Sequence, residues 1–151
     1  DIWHDSEPVQ NCLISVEGGT LTVKGQGKIA AKADDCYTFN VKDGGKLIIE
    51  DGEFVGNVSV IQVQAGEAEV YGGKFSLAQI WPNKGPYGCD YMINMIDDAY
   101  REGTANAVVY GGEFEKFNPA DCTAEGSHTN FVATGYKSEE LTTGVWTVSK
   151  E

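Results

Sequence analysis

Short runs of alternating apolar and polar residues recur along the chain, each beside glycine-containing turns. One set of four segments shares an apolar–x–apolar centre, a second turn and a further apolar residue: GGTLTVKGQGKI (18–29), GGKLIIEDGEF (44–54), AGEAEVYGGKF (65–75) and TANAVVYGGEF (104–114). Alternation with a period of two is typical of β-strands, whose successive side chains point to opposite faces. The pattern therefore predicts short strands that each bury one face.

The same alignment predicts which side chains face the core. The first inward row contains Leu21, Val23, Leu47, Ile49, Ala68, Val70, Ala107 and Val109, and the row after the turn contains Ile29, Phe54, Phe75 and Phe114. We expect equivalent residues to form columns, with the three phenylalanines as an aromatic ladder. Tyr71 and Tyr110 share an outward column, in which the earlier copies carry Lys24 and Glu50.

A second set of alternating runs precedes the first set, at residues 13–19, 37–45, 60–66 and 91–98. In the two sets together, equivalent residues of the early copies are 21 to 26 positions apart, as from Val41 to Val63. The distance from Val70 to Val109 is 39 residues, so we expect one copy to carry an insertion at about residues 76–90.

This period, with short strands and Gly or Asp turns, favours coils of a parallel β-helix stacked about 4.8 Å apart. A β-sandwich also has short strands and frequent turns, but it predicts irregular spacing without the same corner chemistry in every copy. We predict an all-β protein, a short right-handed parallel β-helix of about four to five coils.

The C-terminal part has a different pattern. Residues 118–130 form a polar stretch without alternation, and residues 136–141 and 145–149 are typical of the two strands of a hairpin. We expect this capping loop and hairpin to cover the last coil, with Phe131 and Trp146 against it. The predicted organisation is a lead-in from a longer parent (1–10), the coils (11–117) and the cap (118–151).

The chain has 23 acidic and 11 basic residues among 151, a net charge of −12. Such a surface repels phosphate backbones and anionic membranes, and it opposes association of exposed sheet edges. No apolar run approaches the roughly 18 to 20 residues of a membrane span. We therefore expect neither a nucleic-acid partner nor membrane insertion.

The four cysteines are Cys12, Cys36, Cys89 and Cys122, and none forms a CxxC pair. The coil alignment places Cys36 and Cys89 two coils apart, which exceeds the approximately 7 Å limit for a disulfide between Cα atoms. Cys12 and Cys36 are one coil apart and could form a bridge, but we favour buried free thiols. We expect no metal site and no cofactor.

Catalytic chemistry has weak support. Glycoside hydrolysis needs two carboxylates roughly 5 to 9.5 Å apart. Acidic candidates are Asp97, Asp98 and Glu102, together with Asp34, Asp35 and Asp43 near corners, where Asp also caps turn amides. None of these is paired with a Lys or Arg placed as a base, and no G-x-S-x-G motif is present. We therefore predict a non-enzymatic protein without catalytic residues.

Aromatic side chains are the better candidates for binding. The insertion carries Trp81 and Tyr87 beside the column of Tyr71 and Tyr110. Aromatic rings on a polar surface offer apolar faces and hydrogen-bonding rims to sugar rings. The alternative is that these four rings pack a loop against the coils, or pack between subunits.

Several motifs between residues 91 and 148 resemble the end of a family of β-helix proteins from phages and prophages of gut bacteria. They are Y-x-x-N (91–94), VYGG-x-F (109–114), F-N-P-A (117–120), AEG (124–126), TNFVA-x-GY (129–136) and WTV (146–148). The resemblance implies a head or tail fibre of a virion, or a similar surface appendage, and carries no active-site residues. It also implies self-association, as a homotrimer, and contact with glycans. The alternative is a carbohydrate-active enzyme or a glycan-binding domain of a gut bacterium.

Overall fold

The computed structural model describes residues 12–31, 36–78 and 91–151, and within these ranges the chain is all-β with one short helix. The strands are β1 (Cys12–Glu17), β2 (Thr20–Val23), β3 (Lys28–Ala30), β4 (Tyr37–Lys42), β5 (Gly45–Ile49), β6 (Glu53–Gly56), β7 (Ile61–Val63), β8 (Gly66–Val70), β9 (Lys74–Leu77), β10 (Ile93–Met95), β11 (Ala105–Val109), β12 (Gly112–Glu115), β13 (Tyr136–Thr142) and β14 (Val145–Lys150). Helix α1 (Asp97–Glu102) lies between β10 and β11.

Successive strands enter three sheets in turn. The first sheet has the order β1-β4-β7-β10, the second β2-β5-β8-β11, and the third β3-β6-β9-β12 with β14 and β13 added beyond β12. All pairs among β1 to β12 are parallel, and only the pairs made by β14 are antiparallel. The parallel sheets are compatible with the predicted β-helix and argue against a β-sandwich, whose sheets are antiparallel.

The pairing register agrees with the repeat alignment. Val41 lies opposite Val16 and Val63, and Phe75 lies opposite Phe54 and Phe114. The same holds for the column of Val23, Ile49, Val70 and Val109. The predicted columns are therefore confirmed.

Phenylalanine side chains on the inward side of the third sheet form an aromatic ladder in the core. Phe54 and Phe75 stack with ring centroids 5.3 Å apart, and Phe75 and Phe114 stack at 4.8 Å. All three side chains are buried, as are the inward residues of the central strands. Leu21, Val23, Ile29 and Ala107 are only partly buried, because β2, β3 and β11 are the outer parallel strands of their sheets.

The two glycines of each YGG motif have separate structural roles. A Cβ atom at Gly111 would lie 2.2 Å from the carbonyl oxygen of Tyr71, and one at Gly72 would lie 2.4 Å from that of Glu50. The first glycine therefore permits close approach of the neighbouring backbone. Gly73 and Gly112 both have φ of 105°, which L side chains rarely adopt.

The chain after β12 covers the outer strand of every sheet at one end of the fold. β14 pairs with β12, and Val109 of β11 donates its N–H to the carbonyl of Phe131 at 2.8 Å. The N–H of Met95 in β10 donates to the Glu125 carboxylate at 2.7 Å. The predicted hairpin is confirmed, and both Phe131 and Trp146 are buried. These contacts satisfy backbone groups that would otherwise form exposed edges.

Helix α1 differs from the sequence prediction, which extended an alternating, strand-like run over residues 91–98. Asp97 and Asp98 occupy its first turn, Arg101 its last, and Gly103 ends it with φ of 78°. Acidic residues near the N-terminus and a basic residue near the C-terminus of a helix interact favourably with the helix dipole. Six residues are too few to produce a helical period in the sequence, so the pattern could not reveal the helix. Among the described residues, no helix has the length and apolar character of a membrane span.

Some predictions concern residues outside the described ranges. These residues are the lead-in at 1–10 and most of the insertion at 76–90, which includes Trp81, Tyr87 and Cys89. Before the insertion, β9 continues to Leu77 and pairs with β6 as far as that residue.

Candidate functional site

Tyr71 and Tyr110 form a parallel stack on the outside of the sheets, which we call the tyrosine stack. Their ring centroids are 4.7 Å apart and the ring planes differ by 3°. Each tyrosine directly follows a strand, and its N–H continues the ladder: Tyr71 donates to Ile49 at 2.8 Å and Tyr110 to Val70 at 2.7 Å. The prediction that these two residues share one outward column is confirmed.

A third ring, which the sequence reasoning missed, joins the stack. Tyr136, the first residue of β13, contacts Tyr110 in a T-shaped arrangement with centroids 5.4 Å apart. Tyr110 is half-buried, whereas 47% of Tyr71 is exposed. The signal that could have revealed Tyr136 is its place at the start of a hairpin predicted to cover the last coil.

The geometry limits which ring surfaces a ligand can reach. Because the two rings are stacked, each covers one face of the other. The column continues past Tyr71 to the exposed Glu50, whose N–H donates to Val23 at 2.8 Å. The open ring face is therefore that of Tyr71 on the side of Glu50.

Charged groups hold the Tyr71 ring in position. Its hydroxyl donates to Glu69 Oε2 at 2.6 Å, and Lys46 Nζ lies 2.5 Å from Glu69 Oε1 and 3.7 Å from Glu67 Oε2. The hydrogen bond to Glu69 is the main reason that the pKa of Tyr71 rises to about 12. The hydrogen bond from Lys46 lowers the pKa of Glu69 and raises that of Lys46. Tyr71 therefore presents a fixed ring with a polar rim.

Comparison of the chain with protein-family models, curated proteins and solved structures finds no match. The resemblance to phage β-helix proteins therefore stays a prediction. A function for this chain must be inferred from the geometry of its described residues.

The acidic residues that the sequence offered as catalytic candidates lie in different environments. Asp98 pairs with Arg101 on the surface of α1. Asp43 lies in the turn between β4 and β5 with φ of 54°, as expected for a turn residue. Asp97 lines a cavity together with Glu125, an acid that the sequence reasoning did not select. Asp34 and Asp35 lie outside the described residues.

The cysteines and His128 do not form a reactive centre in the described part of the chain. Cys36 and Cys122 are free thiols, and burial raises the pKa of Cys122 to about 11. A thiol with so high a pKa is a poor nucleophile at neutral pH. His128 lies on an exposed loop with its Nδ1 atom 2.9 Å from Asp121. The described residues contain no group of three or more potential ligands placed to hold a metal ion.

A shallow groove of about 270 Å³ runs over the outer face of the third sheet, lined among others by Glu53, Lys74 and Glu113. The outward column there alternates in charge: Lys28 pairs with Glu53 at 3.3 Å and Lys74 with Glu113 at 3.9 Å. Exposed pairs of this kind contribute about 0–1 kcal/mol each. The column is explained by charge matching between neighbouring strands and needs no ligand.

Proposed function

We propose that this chain is a non-enzymatic structural and binding module of a phage head or tail fibre, or of a similar surface appendage, and that it contacts glycans through Tyr71 and Tyr110. The observation that carries the binding proposal is the exposed tyrosine stack. Equivalent positions in earlier copies hold Lys24 and Glu50, so the repeat itself requires no aromatic side chain there. The ring pair lies outside the core that stabilises the sheets.

The structural part of the proposal is that the three sheets close into a right-handed β-helix of about four to five coils. Its support is the strand order, in which three consecutive strands enter three different parallel sheets before the cycle repeats. Connections between parallel strands of one sheet are right-handed in about 98% of cases. The covered end after β12 suits a protein displayed on a virion or cell surface, because β10, β11 and β12 each have a hydrogen-bonding partner there.

The proposed contact places the apolar face of a sugar ring on the open face of Tyr71. Glu50 and Glu69 then lie beside the ring as acceptors for its hydroxyl groups. A contact between two aromatic rings contributes about 0.5–1.5 kcal/mol, and we expect one sugar–tyrosine contact of similar size to bind weakly. The homotrimer, which the resemblance alone supports, would combine three such sites and raise the avidity.

The test is a glycan array combined with a turnover assay and a mass measurement in solution. We expect specific glycan binding that Tyr71→Ala abolishes. The matched control is Lys24→Ala, which changes the same column at a position away from the stack and should leave binding unchanged. Absence of glycan binding overturns the binding proposal, turnover of a bound glycan overturns the non-enzymatic one, and a monomeric mass overturns the trimer.

The second candidate is a carbohydrate-active enzyme, a polysaccharide lyase or hydrolase, of a gut bacterium. The observation in its favour is that the carboxyl groups of Asp97 and Glu125 line the same cavity. Under this proposal, Asp97→Asn abolishes release of reducing ends from a polysaccharide panel, and Tyr71→Ala only weakens binding. No release by the unaltered protein from any member of the panel overturns this candidate.

A further inference from the structure

A cavity of about 420 Å³ lies beside α1, on the outside of the first sheet's last strand, β10. We call it the α1 pocket. Its lining includes Tyr91, Asn94, Asp97, Tyr100, Arg101 and Glu125. The volume is within the roughly 300–1,000 Å³ of small-molecule sites. The pocket contains none of the residues of the tyrosine stack.

Glu125 is held rigidly in this pocket by contacts at both its backbone and its side chain. Its Oε1 atom accepts the 2.7 Å hydrogen bond from the buried Met95 N–H, and its own N–H donates to Thr129 Oγ1 at 3.1 Å. Thr129 is itself held by a 2.7 Å hydrogen bond to the carbonyl of Gly126. The Glu125 carboxyl therefore keeps one oriented position, as a binding group requires.

Glu125 and Asp97 form an interacting carboxyl pair in the pocket. Burial is the first cause of a raised pKa at Glu125, and the nearby Asp97 raises it further, whereas the Met95 N–H and Arg101 oppose the shift. Arg101 is engaged with Asp98 outside the pair. The lining thus has two carboxyl groups and one cation, Arg101, whose charge is shared with Asp98. Such a site repels anionic ligands.

The remaining lining suits a hydroxyl-bearing ring. Tyr91 and Tyr100 are half-buried, and both pack against the hydrophobic core, so their rings form fixed walls. Asn94 lies in the outward row of β10, paired in register with Gln62, and its amide can both donate and accept hydrogen bonds. Carboxyl acceptors, an amide and aromatic walls together match the hydroxyls and apolar face of a sugar.

We propose that the α1 pocket is a second binding site, for a single uncharged sugar residue, whose hydroxyl groups donate to Asp97 and Glu125. This site does not depend on the tyrosine stack. An acidic sugar is excluded by the carboxyl pair. Along the chain the two sites lie on either side of β11, since α1 precedes this strand and Tyr110 follows it.

The test is an NMR titration of the isotope-labelled chain with glucose, galactose, mannose and N-acetylglucosamine, with galacturonate as the anionic probe and Ca²⁺ alone as the cation probe. We expect at least one uncharged sugar to shift the amides of Asn94 and Glu125 saturably, and galacturonate to shift neither. Asp97→Asn should weaken this binding about tenfold, because hydrogen bonds to charged groups are the strong ones. Asp43→Asn, a control in the turn between β4 and β5 and outside the pocket lining, should change it less than about twofold.

A further pair of variants separates the two proposed sites and guards against misfolding. Glu125→Gln keeps an oxygen that can accept the Met95 N–H, so it should remain folded while losing affinity. Tyr71→Ala should leave the α1 pocket titration unchanged even though it abolishes array binding at the tyrosine stack. The proposal is overturned if no uncharged sugar shifts these amides, if galacturonate or Ca²⁺ alone does so instead, or if Asp97→Asn binds as the unaltered chain does.

Discussion

Replacement of Gly111 by alanine should destabilise the fold through one defined contact. The Cβ atom would lie 2.2 Å from the Tyr71 carbonyl oxygen and 2.9 Å from its carbon, both in the neighbouring backbone. Gly111 is not among the residues with positive φ, so alanine meets no backbone strain of its own there. The backbone at Gly111 and the backbone at Tyr71 must therefore move apart until the added Cβ atom has no contact shorter than 3.0 Å.

The cost can be estimated from the contacts that this separation disturbs. Overpacking of a close-packed site costs about 1–3 kcal/mol. The N–H groups of Tyr110 and Gly111 both donate to the Val70 carbonyl, at 2.7 and 3.2 Å, and losing one such bond costs about 0.5–1.5 kcal/mol. We therefore expect Gly111→Ala to lower the free energy of unfolding by about 2–4 kcal/mol.

Urea unfolding followed by far-ultraviolet circular dichroism measures this difference from the midpoint and the slope. The control is Gly19→Ala, since a Cβ atom there has nothing within 4 Å and the backbone angle is not positive. That variant should be neutral or more stable by up to about 1 kcal/mol, because alanine restricts the unfolded chain. Equal midpoints for the two variants would refute the assignment of Gly111 to close backbone approach.

Four further predictions concern the core and the two sites. Phe75→Ala removes the central ring of the aromatic ladder and should cost about 3–5 kcal/mol in urea unfolding; a loss below about 1 kcal/mol contradicts the ladder as a core element. Ultraviolet titration should show a tyrosine that ionises near pH 12, and this ionisation should be absent in Tyr71→Phe. If the titration curve of that variant is unchanged, the hydrogen bond between Tyr71 and Glu69 is contradicted. Glu125→Ala leaves the buried Met95 N–H without its acceptor and should cost about 1–3 kcal/mol. Because burial raises the pKa of Glu125, the folded state holds this proton more tightly than the unfolded chain, and stability is lost as pH rises through the folded pKa. Glu125→Gln should remove this part of the pH dependence, as thermal unfolding between pH 4 and 8 will show; an unaltered pH profile contradicts it.

The amino-acid sequence by itself determined the all-β class, the inward columns and their register. The reason is that neighbouring strands carry equivalent residues of one repeated motif. The pairing of Phe54 with Phe75, and of Ile49 with Val70, therefore repeats the spacing of the motifs. The adjacency of Tyr71 and Tyr110 follows from the same rule, even though 39 residues separate them. The hairpin could also be predicted, because its two alternating runs flank a short turn.

Only the tertiary structure decided the parts that lie outside this periodicity. Glu125 reaches Met95 across 30 positions of sequence, and Tyr136 reaches Tyr110, because the non-repeating chain after β12 folds back over three sheet edges. No local pattern encodes where such a segment returns, since its course depends on which backbone groups at the outer strands still need partners. Asp97 was visible as an acid in the sequence, but its position beside Glu125 depends on the short α1 and on that returning segment.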